Sequence, residues 1–375
     1  MSTQTFLTGN GDSRETLVVI FLRGAADGLS LVAPIEEDAY FRARPRIAIK
    51  KKEAVPLDGF FGLHPLLGEL EPAWKEGDFA IVHGAGSEDQ TRSHFEAQDL
   101  MEHGGLAAGG WLGRFLRARP EATSGALSCV AVGRLLPESL LGAPSATVME
   151  NLGDFSLGAN SPGFARELQR LYARESDRLS VAARDTFDAI GRLDAMRSAT
   201  YQPANGAVYD PKDDFAQGLQ QIARLIKGRV GLEAASIDIG GWDSHFTQQT
   251  VIEPLLKRLG GGLAAFRRDL GADFQRTTVV VMTEFGRRVQ ENSAFGTDHG
   301  RGSVMFVLGG GVRGGRVHGP WPGLKEEHLE GPGDVPVINN YRNVLAPILR
   351  KHGATQESLA SVFPGFELKP VGLYA

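Results

Sequence analysis

The sequence predicts an α/β sandwich with a central, largely parallel sheet, and three observations support this prediction. Six short runs rich in β-branched residues have the length of strands and are apolar on both faces, as in strands that helices cover on both sides. Helical patterns lie between several of these runs, and such alternation is typical of α/β folds. The 48 glycines cluster at the ends of the runs, where strands turn into loops.

The elements follow from these patterns in chain order. Phe215, Leu219, Ile222 and Ile226 recur at helical spacing and predict a helix. A longer helix is predicted over 251–270 with an interruption at 260–262, where three glycines follow one another, and a closing helix is predicted over 341–351. The predicted strands are Thr16–Leu22, Phe79–Val82, Leu127–Val132, Ala234–Ile239, Thr277–Met282 and Ser303–Leu308.

One stretch departs from the alternation. Residues 162–198 are charged, arginine-rich and helical in period, and they contain no strand pattern. We therefore predict one domain over 1–375 with a helical insertion or cap over 160–230. The charges of this segment are more typical of a solvated face than of a binding patch.

Composition excludes several classes of protein. With 42% hydrophobic and 23% charged residues, the chain has the composition of an ordinary soluble globular protein. A net charge of -5 gives no basic face for nucleic acid. No apolar run approaches the roughly 18 residues that a membrane span needs. The single cysteine, Cys129, excludes an intramolecular disulfide and a thiolate zinc cluster. Residues 1–14 show no export signal, which predicts a cytoplasmic location, with a periplasmic location as the alternative.

Polar motifs follow the predicted strands at their carboxyl ends, where open parallel sheets bind ligands. After the first strand, Asp27 stands beside Gly28, and its carboxylate could bind a hard cation. A turn without a ligand is the simpler interpretation of this motif alone. After the second strand, Thr91 or Ser93 can cap the next helix, and Ser93 could instead be a hydroxyl nucleophile facing an anion, aided by Arg92 and His94.

Two glycine-framed turns carry acidic residues and histidines. The first holds Asp238, Asp243 and His245 within eight residues, a good grouping of metal ligands. The second holds Asp298 and His299 and comes after the next predicted strand. Because carboxyl ends of parallel strands share one edge of the sheet, the two turns predict one divalent-metal site.

A third motif lies between the two turns. Glu284 follows the strand that ends at Met282, and it could bind a metal or act as a base. Arg287 could clamp a tetrahedral anion with its guanidinium group. Charged residues after a strand are common, so this motif is weak by itself.

Five short motifs in one order resemble a bacterial domain-of-unknown-function family, number fifteen-oh-one. That family is similar to a remote branch of the alkaline phosphatase and sulfatase superfamily. The resemblance implies a three-layer α/β/α sandwich with two metal ions over the strand ends and a hydroxyl nucleophile at a helix start. The resemblance covers nearly the whole chain. The motifs are Gly24-Ala-Ala-Asp-Gly28, Arg92-Ser-His-Phe95, Gly240-Gly-Trp-Asp-Ser-His245, Thr283-Glu-Phe-Gly-Arg287 and Thr297-Asp-His-Gly300, with Asp334-Val-Pro-Val337 and Tyr341-Arg342 at the close.

The resemblance also implies roles for single residues. Ser93, or else Thr91, corresponds to the nucleophile. Asp27 corresponds to the early metal-binding aspartate, and His299 to the late histidine of the first site. Asp238 and His245 correspond to the aspartate and histidine of that same first metal, with Asp243 as a competing ligand.

The sequence departs from the superfamily at Glu284 and Phe285, where an aspartate and a histidine are usual. Glu284 can replace the carboxylate, whereas Phe285 cannot bind a metal. His94 or Arg287 could compensate, but one ion is favoured over two. Zinc suits the histidines, while calcium, magnesium or manganese would suit a site dominated by carboxylates.

The resemblance implies a metal-dependent hydrolase of phosphoric or sulfuric esters, with a hydroxyl or a metal-bound water as nucleophile and a small anionic ester as substrate. The alternative is a catalytically degenerate member of the fold that binds a ligand or supports assembly, and Phe285 favours it. A metal-free serine hydrolase is disfavoured, because no serine lies in a nucleophile-elbow motif.

Overall fold

The computed structural model describes residues 15–119, 125–153, 162–173, 177–198 and 200–375. Its strands are β1 (Thr16–Leu22), β2 (Val32–Ala33), β3 (Val55–Pro56), β4 (Gly62–Leu63), β5 (Phe79–Gly86), β6 (Cys129–Val132), β7 (Thr147–Met149), β8 (Ala234–Ile239), β9 (Thr277–Met282), β10 (Ser303–Gly309), β11 (Arg316–His318) and β12 (Asn339–Asn340). Its α-helices are α1 (Gly28–Leu31), α2 (Asp38–Ala43), α3 (Glu71–Lys75), α4 (His94–His103), α5 (Trp111–Ala118), α6 (Pro162–Tyr172), α7 (Arg178–Ser198), α8 (Asp214–Lys227), α9 (Gln248–Leu270), α10 (Tyr341–Lys351) and α11 (Gln356–Val362).

The central sheet has the strand order β11-β5-β10-β9-β1-β8-β6-β7, and β12 also pairs with β5. Strand β10 runs antiparallel to both of its neighbours, whereas the other pairings in this sheet are parallel. The predicted, mostly parallel sheet is therefore confirmed. Each of the six predicted strands forms, and the loops that follow β1, β5, β8 and β9 leave from one edge together with the loop that enters β10.

Helices cover both faces of the sheet, so the predicted three-layer α/β/α sandwich is also confirmed. Side chains of β1 alternate between the two faces, as a strand requires. Val18 and Ile20 pack in a buried cluster with residues of α8 and α9. Leu17 and Val19 pack in a second cluster with residues of α5, α10 and α11. A small separate sheet has the order β2-β4-β3.

The predicted interruption of the long helix at 260–262 is wrong, because α9 continues unbroken through the three glycines. A Cβ atom at Gly260 would lie 2.9 Å from the carbonyl oxygen of Leu66, and one at Gly262 would lie 2.8 Å from a ring carbon of Phe215. The glycines therefore permit close packing of α9 against its neighbours, at the cost of some helix propensity.

Helices α6, α7 and α8 occupy the segment predicted to be an insertion. Leu193 of α7 and Phe215 of α8 are buried in the same cluster as the sheet residues Val18 and Ile20. The division into one domain with an insertion over 160–230 stays a prediction. Among the described residues, no helix has both the length and the apolar character needed to cross a membrane.

Candidate metal centre

Four side chains converge at the edge of the sheet where the parallel strands end. His94 is the first residue of α4, Asp243 and His245 lie in the loop after β8, and His299 lies in the loop before β10. The Asp243 Oδ1 atom lies 3.2 Å from His245 Nε2, 3.5 Å from His299 Nε2 and 3.6 Å from His94 Nε2. The Nε2 atoms of His245 and His299 are 2.9 Å apart. Of these four residues, His94, Asp243 and His299 offer ligand atoms that all lie within 4.8 Å of one another, as a metal-ligand set requires, and His245 adjoins Asp243 and His299.

The three imidazoles share one orientation, with Nε2 toward the centre and Nδ1 toward an acceptor outside it. A carboxylate or carbonyl oxygen can only accept, so each Nδ1 carries the proton and donates it. Each Nε2 is then left with a lone pair that points inward, as in histidines that bind metals. The donations run from His94 to Glu284 Oε1 (2.8 Å), from His299 to the Arg92 carbonyl oxygen (2.9 Å) and from His245 to Asp298 Oδ1 (3.4 Å).

This donor set fits a divalent cation. The Nε2 atom of His94 is buried and has no hydrogen-bond partner in the described part of the chain. Such an orphaned buried atom is rare and calls for a ligand. Lone pairs on His245 and His299 would repel each other at 2.9 Å unless a cation lay beside them. Three imidazole nitrogens and one carboxylate oxygen form a ligand set that zinc accepts in tetrahedral geometry.

Arg287 holds Asp243 in place. Its Nη2 donates to Asp243 Oδ1 at 2.6 Å and to the Gly24 carbonyl at 2.7 Å, while Nε and Nη1 donate to the carbonyls of Ala25 and Thr297. Burial would raise the pKa of Asp243, but the hydrogen bond and charge of Arg287 outweigh it and lower that pKa. The Arg287 side chain has no exposed surface. It therefore supports the centre from behind and does not face a substrate as an anion clamp would.

Glu284 lies behind the centre and positions His94. Its Oε1 atom accepts from His94 Nδ1, from Gln98 Nε2 at 3.0 Å and from the backbone N–H of Gly24 at 2.9 Å. Burial would raise the pKa of Glu284, but these hydrogen bonds lower it. The bond to Glu284 also raises the pKa of His94, which makes its Nε2 a more basic ligand. The structure does not bring Glu284 into the ligand set.

Asp27 is also outside the cluster. It caps α1, and both of its carboxylate oxygens accept from the buried guanidinium of Arg44. Ser30 Oγ and Gln248 Nε2 donate to the same carboxylate at 2.6 and 2.7 Å. The charge of Arg44 and these hydrogen bonds overcome the effect of burial and lower the pKa of Asp27. Its oxygens are thus already committed to neighbouring side chains.

Asp238 points to a different part of the sheet edge. Its Oδ2 accepts from Arg23 Nε at 2.6 Å, and Arg23 also donates to Gln98 and Glu102. Asp238 lines a cavity of about 490 Å³ together with residues at the ends of β6 and β8. Of the two aspartates in the first turn, Asp243 joins the histidines and Asp238 does not.

Ser93 and Thr91 have different surroundings at the start of α4. Ser93 occupies the N-cap position, yet its side chain makes no capping hydrogen bond. Thr91 Oγ1 instead accepts from the Ser93 backbone N–H at 3.2 Å and donates to Glu96 Oε2 at 2.7 Å. The hydroxyl of Thr91 is therefore engaged, whereas that of Ser93, next to His94 in sequence, takes no part in capping.

Phe285 closes one side of the centre. Its ring stacks on His94 with the centroids 5.1 Å apart, and it lies 5.1 Å from the ring of His299. The sequence predicts His94 only as an aid to Ser93 or as a compensating residue. It does not predict that His94 is one of the side chains that converge on Asp243. The signal was present, because His94 stands in the same motif as Ser93, but helical periodicity does not show which way a first-turn side chain faces.

The chain was compared with curated proteins, solved structures and protein families. No curated protein matches the chain. The solved structures similar to it include the lipoteichoic acid synthase LtaP from Listeria monocytogenes, with 8% identity over 86% of this chain and 68% of that one and a TM-score of 0.33. The C-terminal periplasmic domain of EcEptC from Escherichia coli, solved in complex with zinc, has 8% identity, coverage of 80% and 75%, and a TM-score of 0.33. The alkaline phosphatase from the Antarctic bacterium TAB5 has 10% identity, coverage of 80% and 92%, and a TM-score of 0.31.

Similarities this distant carry no argument about the chemistry of the site. The family comparison is more direct. The family model described as "Protein of unknown function (DUF1501)" matches residues 85–369, which include the four converging side chains. This chain is a member of the DUF1501 family.

Proposed function

We propose that this protein is a metal-dependent hydrolase of phosphoric or sulfuric esters, with one ion bound by His94, Asp243, His245 and His299. The observation that carries the proposal is the approach of three imidazole Nε2 atoms to a single carboxylate oxygen, at 3.2 to 3.6 Å. Zinc is the proposed ion, because nitrogen donors outnumber oxygen donors.

One ion is proposed because the other candidate ligands have other partners. Asp27 is bound to Arg44, Asp238 to Arg23, and Glu284 to His94. Phe285, which stands where the superfamily usually has a histidine, stacks on His94 and offers no donor to a second ion. The remaining carboxylates thus neutralise arginine side chains or orient His94.

A bound divalent cation would supply positive charge that polarises the ester and stabilises the negative charge that grows during its cleavage. The residues of the protein hold the reacting groups in position. Ser93 is the proposed nucleophile, since its hydroxyl is not used in capping and precedes the ligand His94. The free N–H groups at the start of α4 attract the anionic ester to the same place. Glu284, Asp298 and the Arg92 carbonyl keep the imidazoles in the required tautomer.

The substrate proposed is a small anionic ester. Phe95 and Phe246 directly follow the ligands His94 and His245 in sequence, and they are 84% and 70% exposed. Exposed phenylalanines that directly follow the proposed ligands in sequence are the reason to choose esters with an apolar group, such as aryl esters, as first test compounds.

The test begins with the metal content of protein purified without chelator, followed by hydrolysis of aryl phosphate and aryl sulfate esters. We expect about one ion per chain, and His94→Ala, His245→Ala and His299→Ala should each lose both the ion and the activity. His103→Ala is the matched control, because His103 ends the same helix and pairs with Glu138 instead.

Unchanged metal content in all three ligand variants would refute the metal centre. A stoichiometric ion without hydrolysis of any ester in the panel would instead support the alternative, a protein that keeps the fold and binds a ligand without catalysis.

A further inference from the structure

A second cavity, of about 310 Å³, lies where the edge strand β11 pairs with β5, and none of its lining residues belongs to the metal centre. Its volume is near the lower end of ligand pockets, which run from about 300 to 1,000 Å³. We call it the aromatic pocket. Its lining residues include Asp58, Phe60, Phe61, His83, His318 and Trp321.

Two rings of the aromatic pocket meet Phe61 edge to face, and a third stacks on it. Phe60 and Trp321 stand at 77° and 85° to Phe61, with centroids 4.9 and 5.2 Å from it. His83 lies almost parallel to Phe61, at 5.4 Å. Trp321 is held in this orientation because its Nε1 donates to Glu37 at 2.8 Å. Phe61 and His83 are almost fully buried, so the accessible ring surface of the pocket belongs mainly to the half-buried Phe60 and Trp321. The faces of aromatic rings carry negative electrostatic potential.

The charge of the aromatic pocket is negative. Among the described lining residues, Asp58 is the one that carries a full charge, and no lysine or arginine lines the cavity. Asp58 Oδ1 accepts from the backbone N–H groups of Phe60 and Phe61 at 3.1 and 2.9 Å, which fixes the carboxylate beside the aromatic pair. Burial lowers the pKa of His83 to about 4 and lowers that of His318, so both rings are neutral at pH 7.

We propose that the aromatic pocket binds a methylated ammonium cation. Ring faces attract a cation but accept no strong hydrogen bond, so they suit an ammonium group whose hydrogens are replaced by methyls. A primary ammonium group would leave N–H donors unpaired against the ring faces of Phe60 and Trp321. The cation can belong to a small molecule or to a methylated lysine of another protein. The chemistry of recognition is the same in both cases.

Trp321 provides a direct readout. The other tryptophans, Trp74, Trp111 and Trp242, are at most 5% exposed, whereas Trp321 is half-buried and lines the cavity. Choline is the first probe, and its uncharged carbon isostere 3,3-dimethylbutan-1-ol is the matched control ligand. We expect choline to change the tryptophan emission in a saturable manner, beyond the effect of equal sodium chloride, with the isostere at least tenfold weaker. Trp74→Phe should keep the response and Trp321→Phe should lose it.

Asp58→Asn tests the role of charge without removing the turn, because an asparagine oxygen can still accept from Phe60 and Phe61. We expect several-fold weaker choline binding by calorimetry and unchanged thermal unfolding. A trimethyl-lysine peptide forms the second arm, and tighter binding of that peptide than of choline would assign the cation to a protein source. Equal binding of choline and its isostere would overturn the proposal, and so would the absence of saturable binding in both arms.

Discussion

The Nε2 atoms of His245 and His299 lie 2.9 Å apart, although the Nδ1 atom of each ring faces an oxygen that can only accept. Two lone pairs therefore face each other across a distance at which they repel. A cation shared by both nitrogens removes this conflict, and it also provides a partner for the buried Nε2 of His94.

Glu284→Gln should weaken metal binding although Glu284 is not a ligand. Glutamine can still accept the hydrogen bond from His94 but lacks the charge that makes the imidazole more basic. Loss of such an outer partner typically costs about 10–100-fold in metal affinity. Competition with a chromophoric chelator measures the change. Glu71→Gln is the control, since Glu71 pairs with Lys75 on the surface. Equal zinc affinity in wild type and Glu284→Gln would contradict this role.

Ser93→Ala should abolish most ester hydrolysis and leave the metal content unchanged. Removal of a serine nucleophile lowers kcat by factors of about 10³ or more. Thr91→Ala should keep its activity and lose some stability, because Thr91 Oγ1 is the group that bonds the start of α4. Steady-state kinetics and metal analysis of both variants test this pair of expectations. Full activity of Ser93→Ala would show that a water molecule attacks the ester instead.

Asp27→Asn should destabilise the fold without removing the metal. The carboxylate and Arg44 are both fully buried, and breaking such a pair costs roughly 3–5 kcal/mol. Denaturant unfolding should show this loss, while metal analysis of the folded fraction should still give one ion per chain. Asp243→Asn provides the opposite case, since it should lose the ion. Loss of metal from Asp27→Asn would restore the ligand role that the sequence predicted for Asp27.

Asp269→Asn should cost stability at neutral pH and much less in acid. Burial would raise the pKa of Asp269, but hydrogen bonds from Lys227, Tyr201 and Tyr209 outweigh it and lower that pKa. A lowered folded-state pKa adds stability above the ordinary value, near about 3.9, and this stability is lost as the pH falls. At pH 7 the variant should be less stable by about 3 kcal/mol. Urea unfolding from pH 7 downward measures the difference, and a gap that stays constant below pH 4 would contradict this account.

The fold was largely predictable because strand-length apolar runs such as Thr16–Leu22 and Thr277–Met282 are unambiguous, and each forms with the predicted bounds. The run at 260–262 misled the prediction, since glycine breaks an isolated helix but also allows close packing. Only the positions of Leu66 and Phe215 distinguish these cases, and both are far away in sequence.

The sequence predicts where the candidate site lies, but it predicts only some of the residues that form it. His245 and His299 lie close together because the loops at the carboxyl ends of parallel strands leave from one edge of the sheet, and Asp243 joins them where the sequence favoured Asp238. Spacing could not separate Asp243 from Asp238, since the choice depends on Arg287 and Arg23, which each bind one of them. Asp27 was assigned by resemblance, and the neutralising partner Arg44 lies in a segment that carries no motif.

The close packing of Gly260 against Leu66 has a consequence at the N-terminal end of α9. Gln248, the first residue of that helix, accepts hydrogen bonds from Ser244 and Thr297, which lie in the two loops that carry His245 and His299. Gly260 lies twelve positions after Gln248, a length of about 18 Å along the helix. Any side chain at Gly260 would push α9 away from the Leu66 backbone and would move Gln248 with it. A substitution at Gly260 should therefore disturb Ser244 and Thr297, and through them the loops that carry His245 and His299, although Gly260 lies far along the helix from both loops.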